Sequence, residues 1–351
     1  MTLTTHRTQG EGSEPEQSRP AGREAQHAVV HARLFRPNQR PTQVDDASWT
    51  ELCRDEGNLL WVDLQAPSQE EFARLVGAFN IDPHASELAR GVHRRPIVRA
   101  YDDHYLITVL SFQVDEAQRS PRIRVVEVDL LVGRNFLVSL HKRPLPFAEE
   151  LAERTASNPH RSRLDAASLL YVFLDTLVAA YVRQLDQVER RVERLQLELL
   201  REPGRRALDE AILLTRHVQT LRRLVSPHSE AFATLLTVDA PWLLPGTMET
   251  NLRDLLSQLR SLVERLDHTR DMVTGGYTLY ISNVSFRTNE QLKVLTVLSA
   301  ILLPTTLITG LFGTNFKLAE YDAWQPFYVM LVGMGVIAWG MLLFFRWRHW
   351  L

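Results

Sequence analysis

Groups able to do chemistry are most concentrated near the C-terminus, where small and oxygen-bearing side chains recur at heptad spacing. We call this set the polar stripe: Asn289, Leu292, Thr296, Ser299, Leu303, Thr306, Gly310 and Gly313. A helix face turned to lipid would carry leucine, isoleucine or valine, whereas small and hydroxyl side chains admit a close helix neighbour or line water. The stripe therefore predicts either a helix-packing face or a face on the axis of an oligomer.

A heptad-like seam of apolar residues precedes the stripe in the sequence. It favours placing the stripe on the axis of an oligomer. A helix that coils outside the membrane and presents small residues inside it suits a symmetric ring, and Asn289 lies where the two patterns meet. In such a ring Leu292, Leu295 and Leu303 would form hydrophobic constrictions able to gate by dewetting.

Other reactive residues do not form a recognisable catalytic or metal-binding pattern. The chain has no phosphate-binding loop, nucleophile elbow or paired-carboxylate motif, so we expect neither an enzyme nor a bound cofactor. Cys53 is the only cysteine, which excludes a disulfide framework and a thiolate cluster and fits a reducing, cytoplasmic setting. The histidines His84, His93, His104 and His141 lack compact ligand spacing, so we expect scattered surface or core histidines.

Composition places the chain among large proteins without affinity for nucleic acid. Its 351 residues are 45% hydrophobic, enough to bury a substantial core. A net charge of -2 gives no basic field for DNA or RNA, so no nucleic-acid partner is expected. The first 26 residues are polar and contain no apolar run, which predicts a disordered tail rather than a signal peptide.

Two uncharged runs near the C-terminus are long enough to cross a bilayer. Val294 to Phe316 and Ala323 to Phe345 each hold 23 residues without a charge, and a transmembrane helix needs about 20. A buried hairpin of core helices is the alternative, but two such runs separated only by residues 317–322 favour the membrane. The lipid bilayer is therefore an expected partner.

Charge at the flanks of these runs predicts their orientation. Arg287 and Lys293 precede the first run, and Arg346 and Arg348 follow the second. Positive residues concentrate on the cytoplasmic side of membrane proteins. Both termini should therefore face the cytoplasm, with the protein in the cell's inner (cytoplasmic) membrane.

The remainder of the chain divides into strands followed by long amphipathic helices. Val29 to Phe35, Leu59 to Leu64, Tyr105 to Phe112 and Val125 to Leu140 have the composition of strands, and Ser68 begins a helix with a capping signal. The predicted division is a disordered tail over 1–26, an α/β domain over 27–160, a helical hairpin over 161–250, a stalk helix continuing into the first transmembrane helix over 251–312, a loop over 313–325, a second transmembrane helix over 326–346 and a basic tail over 347–351.

The stalk helix carries a heptad-like apolar seam, which predicts packing against copies of itself or against the hairpin. The seam comprises Leu252, Leu255, Leu259, Leu262, Leu266 and Val273. The pair Gly275-Gly276 favours close helix packing over a hinge. Asp254, Asp267 and Asp271 could form acidic rings in an oligomer, but solvated charges are the simpler interpretation.

The C-terminal residues resemble one family specifically. The runs Thr288 to Thr296, Leu303 to Thr306 and Gly310 to Phe316 closely resemble the first transmembrane helix and Gly-Met-Asn loop of CorA-type divalent cation transporters. Residues 347–351 resemble their short basic C-terminus, and weaker similarity extends over nearly all of the chain after residue 27.

This resemblance implies a funnel-shaped homopentameric channel: an α+β cytoplasmic domain, long α-helices and two C-terminal transmembrane helices, the first lining the pore. Gly313, Thr314 and Asn315 would form the outer mouth, where Asn315 would meet the hydrated cation, with Thr306 and Gly310 as the next ring. Magnesium sheds water reluctantly, so oxygen ligands would recognise its hydration shell. Glu320 and Asp322 would raise the local cation concentration.

Two departures from the family pattern keep the choice of cation and the gating open. Thr314 replaces the usual methionine, as in the zinc-transporting branch, so a proton-coupled zinc transporter is the alternative to a magnesium channel. Leu88 follows Glu87 where an acidic pair would form an intersubunit cation site. A membrane-anchored scaffold is the more distant alternative, and it would not need the polar stripe.

Overall fold

The computed structural model describes residues 29–37, 39–55, 57–115, 122–156, 165–201, 205–237, 242–313 and 324–348. The tail predicted over 1–26 lies outside these residues. The strands are β1 (Val29–Phe35), β2 (Thr42–Gln43), β3 (Leu59–Gln65), β4 (Ile97–Ala100), β5 (His104–Asp115), β6 (Arg122–Gly133) and β7 (Phe136–His141). The helices are α1 (Trp49–Leu52), α2 (Gln69–Ala78), α3 (Pro83–Arg90), α4 (Ala148–Ala156), α5 (Ala166–Arg201), α6 (Arg205–Leu236), α7 (Gly246–Gly313) and α8 (Gln325–Trp347), with a 3₁₀ turn at Asp46–Ser48.

All seven strands form one sheet, in the order β2-β1-β3-β7-β6-β5-β4. Only β3 and β7 pair in parallel; the other neighbours are antiparallel. The segment Val125 to Leu140, expected as one strand, is instead the hairpin of β6 and β7. The chain turns after Gly133, where any Cβ atom would overlap the Phe136 ring, so the close approach requires glycine.

Successive side chains of a strand point to opposite sides of the sheet, and here both sides carry apolar residues. On β3, Leu60, Val62 and Leu64 pack with α1, α2 and α3, while Leu59 and Trp61 face the long helices. The predicted start of α2 is confirmed, because Glu71 N–H donates to Ser68 Oγ at 3.2 Å and Ser68 N–H donates to Glu71 Oε2 at 2.7 Å. The result is three layers: short helices, sheet and long helices.

The long helices α5, α6 and α7 pack together against the sheet. Helices α5 and α6 lie within the span predicted as a helical hairpin, residues 161–250. The stalk seam is buried in this bundle, with Leu252, Leu255 and Leu259 fully inaccessible. The seam's partner is therefore the hairpin of the same chain.

Helix α7 is one continuous element of 68 residues that passes through Pro304. At 1.5 Å per residue it is about 100 Å long, several times the roughly 30 Å that a bilayer core needs. A Cβ atom added to Gly276 would lie 3.5 Å from Leu199 Cδ1 of α5, whereas a Cβ atom added to Gly275 would have no neighbour within 4 Å. Gly276 thus lies at the contact with α5, although the space there would admit a Cβ atom.

Within the described residues, three helices are long and apolar enough to span a membrane: α5, α7 and α8. The apolar window of α5 is 56% buried inside the protein, whereas that of α7 is 6% buried and that of α8 is 0% buried. The apolar character of α5 is explained by the bundle core, which leaves α7 and α8 as the membrane pair.

A buried polar cluster joins the sheet to the bundle. Leu110 N–H on β5 donates to His228 Nε2 of α6 at 3.0 Å, and His228 Nδ1 lies 2.8 Å from the Leu224 carbonyl oxygen. The Tyr181 hydroxyl of α5 donates to the Leu110 carbonyl oxygen and lies 3.2 Å from His228 Nε2. These contacts require the neutral imidazole with its proton on Nδ1. Burial lowers the pKa of His228 to about 4.

We predict that His228 makes folding stability fall in acid. The unfolded chain binds the extra proton below about pH 6.5 and the folded chain only below about 4, so this contribution is complete above pH 6.5 and falls by about 3 kcal/mol as the pH drops through that window. Urea unfolding of the full-length protein in detergent, compared with His228→Asn, should show the stability difference shrinking toward pH 4. Tyr181→Phe keeps the imidazole buried and should retain the parent's slope. A pH-independent difference between parent and His228→Asn would contradict this assignment.

Candidate functional site

The membrane part of α7 has two distinct faces. Val297 is 6% exposed and Phe345 on α8 is 8% exposed, and α8 packs along this part of α7. Ile301, Pro304 and Ile308 follow Val297 at helical spacing and are half-buried. These residues form the face that α8 covers.

The polar stripe lies away from α8. All of its members, Asn289, Leu292, Thr296, Ser299, Leu303, Thr306, Gly310 and Gly313, are exposed in the single chain, as is Leu295. Leu303, at 71%, is among the most exposed large apolar side chains. Packing against α8 therefore does not explain the stripe, and whatever covers it comes from outside the described part of the chain.

Hydroxyl groups on this face present acceptor oxygens outward. Thr296 Oγ1 donates to the Leu292 carbonyl at 2.7 Å, and Thr306 Oγ1 donates to the Leu302 carbonyl at 2.8 Å. With its one hydrogen engaged by the helix, each hydroxyl retains lone pairs for other donors. Such oxygens can accept hydrogen bonds from the water shell of a cation.

The proposed mouth of the pore is described only at its edge. Gly313 is the last residue of α7. Thr314, Asn315, Glu320 and Asp322 lie outside the described residues, so their predicted roles remain predictions.

An apolar segment of α7 lies exposed between the bundle and the membrane part. Tyr277, Leu279, Ile281 and Phe286 are 43%, 55%, 47% and 63% exposed. These residues precede the uncharged run that starts at Val294, so lipid tails do not account for all of them. A concentration of exposed apolar residues outside the membrane marks an interaction surface.

Three of the four singled-out histidines have the structural or surface roles expected for them. His141 Nε2 lies 3.1 Å from Asp63 Oδ1. His104 is buried and stacked on Tyr101, and burial lowers its pKa. His84 is exposed on α3.

His93 is the exception, because it lies beside two acidic side chains. One ligand atom from each of His93, Glu127 and Asp129 lies within 4.8 Å of the other two. Glu127 and Asp129 are two residues apart on β6 and so share one face of the sheet, and the segment after α3 brings His93 to that face. Burial raises the pKa of both carboxyl groups, that of Asp129 to about 7.

Leu88, at the position where an acid was expected, and Asp267, a possible member of an acidic ring, both make contacts within their own chain. Leu88 packs against the core of the short-helix layer. Asp267 accepts hydrogen bonds from Arg222 on α6, from Nε at 2.6 Å and from Nη2 at 3.2 Å. Asp267 therefore forms an ion pair with an arginine of its own chain at the protein surface.

Comparison with known proteins shows which family this chain resembles. The model of the family described as CorA-like Mg²⁺ transporter protein matches residues 56–347. A cobalt/magnesium transport protein CorA of Thermotoga maritima is 28% identical over 301 residues, covering 85% of each chain.

Solved structures share the fold. The complete CorA magnesium transporter of Methanocaldococcus jannaschii superposes with a TM-score of 0.77 at 21% identity, covering 92% of this chain and 99% of that one. The full-length CmaX protein gives a TM-score of 0.73 at 17% identity, covering 91% of this chain and 98% of that one.

We predict that the two faces of α7 differ in access to water. In a Cys53→Ser background, cysteines at Ser299 and Thr306 should react with a membrane-impermeant thiol reagent. Matched cysteines at Val297 and Ile308 should not, because α8 and lipid cover them. The measurement is the labelled fraction by mass spectrometry in proteoliposomes open to reagent on both sides. Equal labelling of both faces, or of neither, would contradict the assignment.

Proposed function

This chain belongs to the CorA-like Mg²⁺ transporter family, and from that premise we propose that it carries divalent cations across the cytoplasmic membrane through a homopentameric pore. The observation that carries the proposal is the polar stripe, which faces away from α8 and is uncovered by the described part of its own chain. A simple membrane anchor has no use for such a face.

A ring of copies supplies what covers the stripe. Small residues let neighbouring helices approach closely, and a closed ring places the same face of every copy on one axis. The exposed apolar residues Tyr277 to Phe286 would be buried by the same association, just below the membrane. The resemblance to CorA-type transporters supports a ring of five copies.

The chemistry of the stripe suits a hydrated cation. It has no charged side chain, so it would hold the ion through neutral oxygens. From the outside inward these would be the Asn315 amide at the mouth, then Thr306 and the Gly310 backbone, then Ser299 and Thr296. Leu303, Leu295 and Leu292 would be constrictions between them, and Asn289 the inner end. Glu320 and Asp322 would concentrate cations at the entrance.

The choice of cation rests on a direct measurement. Thr314 in place of methionine supports a zinc-type, proton-coupled transporter as the alternative to a magnesium channel, whereas the neutral oxygen ligands suit magnesium. Flux of Mg²⁺, Zn²⁺, Ni²⁺ and Co²⁺ into proteoliposomes, compared at two pH gradients, separates them. If transport is coupled to protons, Zn²⁺ flux should change with the pH gradient. If the pore is passive, Zn²⁺ flux should not depend on that gradient. Absence of flux for all four cations would favour the scaffold.

We predict that Asn315 determines transport rather than folding. Asn315→Ala should leave expression and oligomer size intact while abolishing cation flux, because its amide oxygens are the acceptors at the mouth. Asn315→Asp keeps the propensity of asparagine for turns but places a ring of carboxylates there, so it should change selectivity. Flux and gel filtration on the same preparations check this. If both variants transport like the parent, Asn315 is only a turn residue and the proposed filter is wrong.

A further inference from the structure

We propose that His93, Glu127 and Asp129 form a binding site for a transition-series divalent cation of the Zn²⁺, Co²⁺ or Ni²⁺ class within a single subunit. The site is separate from the pore, since β6 belongs to the sheet and the stripe to the far end of α7. It is also built within one chain, so it needs no neighbouring copy.

The geometry is close to that of a three-ligand metal centre. The three ligand atoms lie within 4.8 Å of one another. A tetrahedral zinc ion with bonds of about 2.1 Å holds its ligand atoms about 3.4 Å apart. Small side-chain rotations of His93 and Glu127, both only half-buried, would close the set. A fourth position would remain for water.

Groups outside the cluster orient two of the ligands. His93 Nε2 lies 2.7 Å from the Leu88 carbonyl oxygen, which holds the proton on Nε2 and leaves the lone pair on Nδ1. The Thr108 hydroxyl donates to Asp129 Oδ1 at 2.5 Å. Metal-binding histidines and carboxylates characteristically have such outer partners, which fix tautomer and orientation.

The surroundings give access to an ion and a reason to bind one. All three residues line a cavity of about 560 Å³ that also borders Phe72 and Leu140. Asp129 is only 4% exposed, and a buried carboxylate without a full counter-charge is costly. A bound cation would relieve that cost for both acids.

The ligand types decide the class of metal. Imidazole suits Zn²⁺, Co²⁺ and Ni²⁺, whereas Mg²⁺ prefers oxygen ligands in an octahedral arrangement. We therefore expect Mg²⁺ to compete poorly at this site.

Lys142 provides a way to separate a metal site from an ordinary ion-pair cluster. Its charge acts on both Glu127 and Asp129, and its Nζ donates to the Gly91 carbonyl at 3.4 Å. If the acids serve only as partners of Lys142, removing its charge gives no gain in metal binding. If they are ligands, Lys142→Gln removes a repulsion and should tighten binding.

The test is equilibrium dialysis of the full-length protein in detergent against Zn²⁺ with a large excess of Mg²⁺, followed by elemental analysis. Relative to the parent, His93→Gln and Glu127→Gln should each lose one bound Zn²⁺ per chain or bind it at least tenfold more weakly, while Lys142→Gln should bind it more tightly. The matched controls His84→Gln and Glu87→Gln change exposed residues of α3 and should bind like the parent.

Gel filtration checks that each variant is folded, and two independent ligand variants keep the test valid if one of them is not. The proposal is overturned if the parent binds no Zn²⁺ under these conditions, if excess Mg²⁺ displaces all of it, or if folded ligand variants retain the parent's stoichiometry and affinity. The test measures bound metal rather than flux, so its result does not depend on whether the proposed pore transports cations.

Discussion

The unbroken backbone of α7 is the constraint on which the rest of the structure depends. Its hydrogen-bonded turns run from Gly246 to Gly313, so the bundle and the membrane part share one stiff rod. The first part of the rod is buried among α5 and α6, and the last part is exposed except where α8 lies. The bundle and the membrane part are therefore joined by the same helix that carries the polar stripe.

The sheet is fastened to this rod through α5 and α6. Leu110, Tyr181 and His228 satisfy one another's polar groups in a buried interior, where an unpaired donor or acceptor would cost about 1–3 kcal/mol. Around them the apolar face of the sheet and the long helices form a single continuous core. Packing and hydrogen bonds together therefore fix where the sheet lies relative to α7.

Local signals in the sequence predicted the helices well, because their ends carry strong punctuation. In the sequence, Pro203 and Gly204 stand between the end of α5 and the start of α6, and the cap at Ser68 begins α2 as expected. The heptad seam of α7 predicted a buried face but not its partner, since the same spacing serves a neighbouring copy or the chain's own hairpin. The Val125 to Leu140 segment was too uniformly apolar to reveal the turn after Gly133.

The His93 cluster shows what sequence spacing leaves out. Its members are 36 residues apart at the widest, from His93 to Asp129, and only the pairing of strands and the path after α3 bring them together. A signal was present, because Glu127 and Asp129 alternate with apolar residues on a strand and so place two acids on one face. For the stripe, the sequence alone was compatible with either a helix-packing face or a face on an oligomer axis. In the structure α8 packs on another face of α7, so no helix of the described chain covers the stripe.

In the proposed pore, the polar stripe lines the axis of a ring of identical copies. Native mass measurement of the full-length protein in detergent, on a sample whose cation flux is measured in parallel, tests it most directly. We expect a mass of five copies in the preparation that transports. A stable monomer or dimer that retains transport would contradict it.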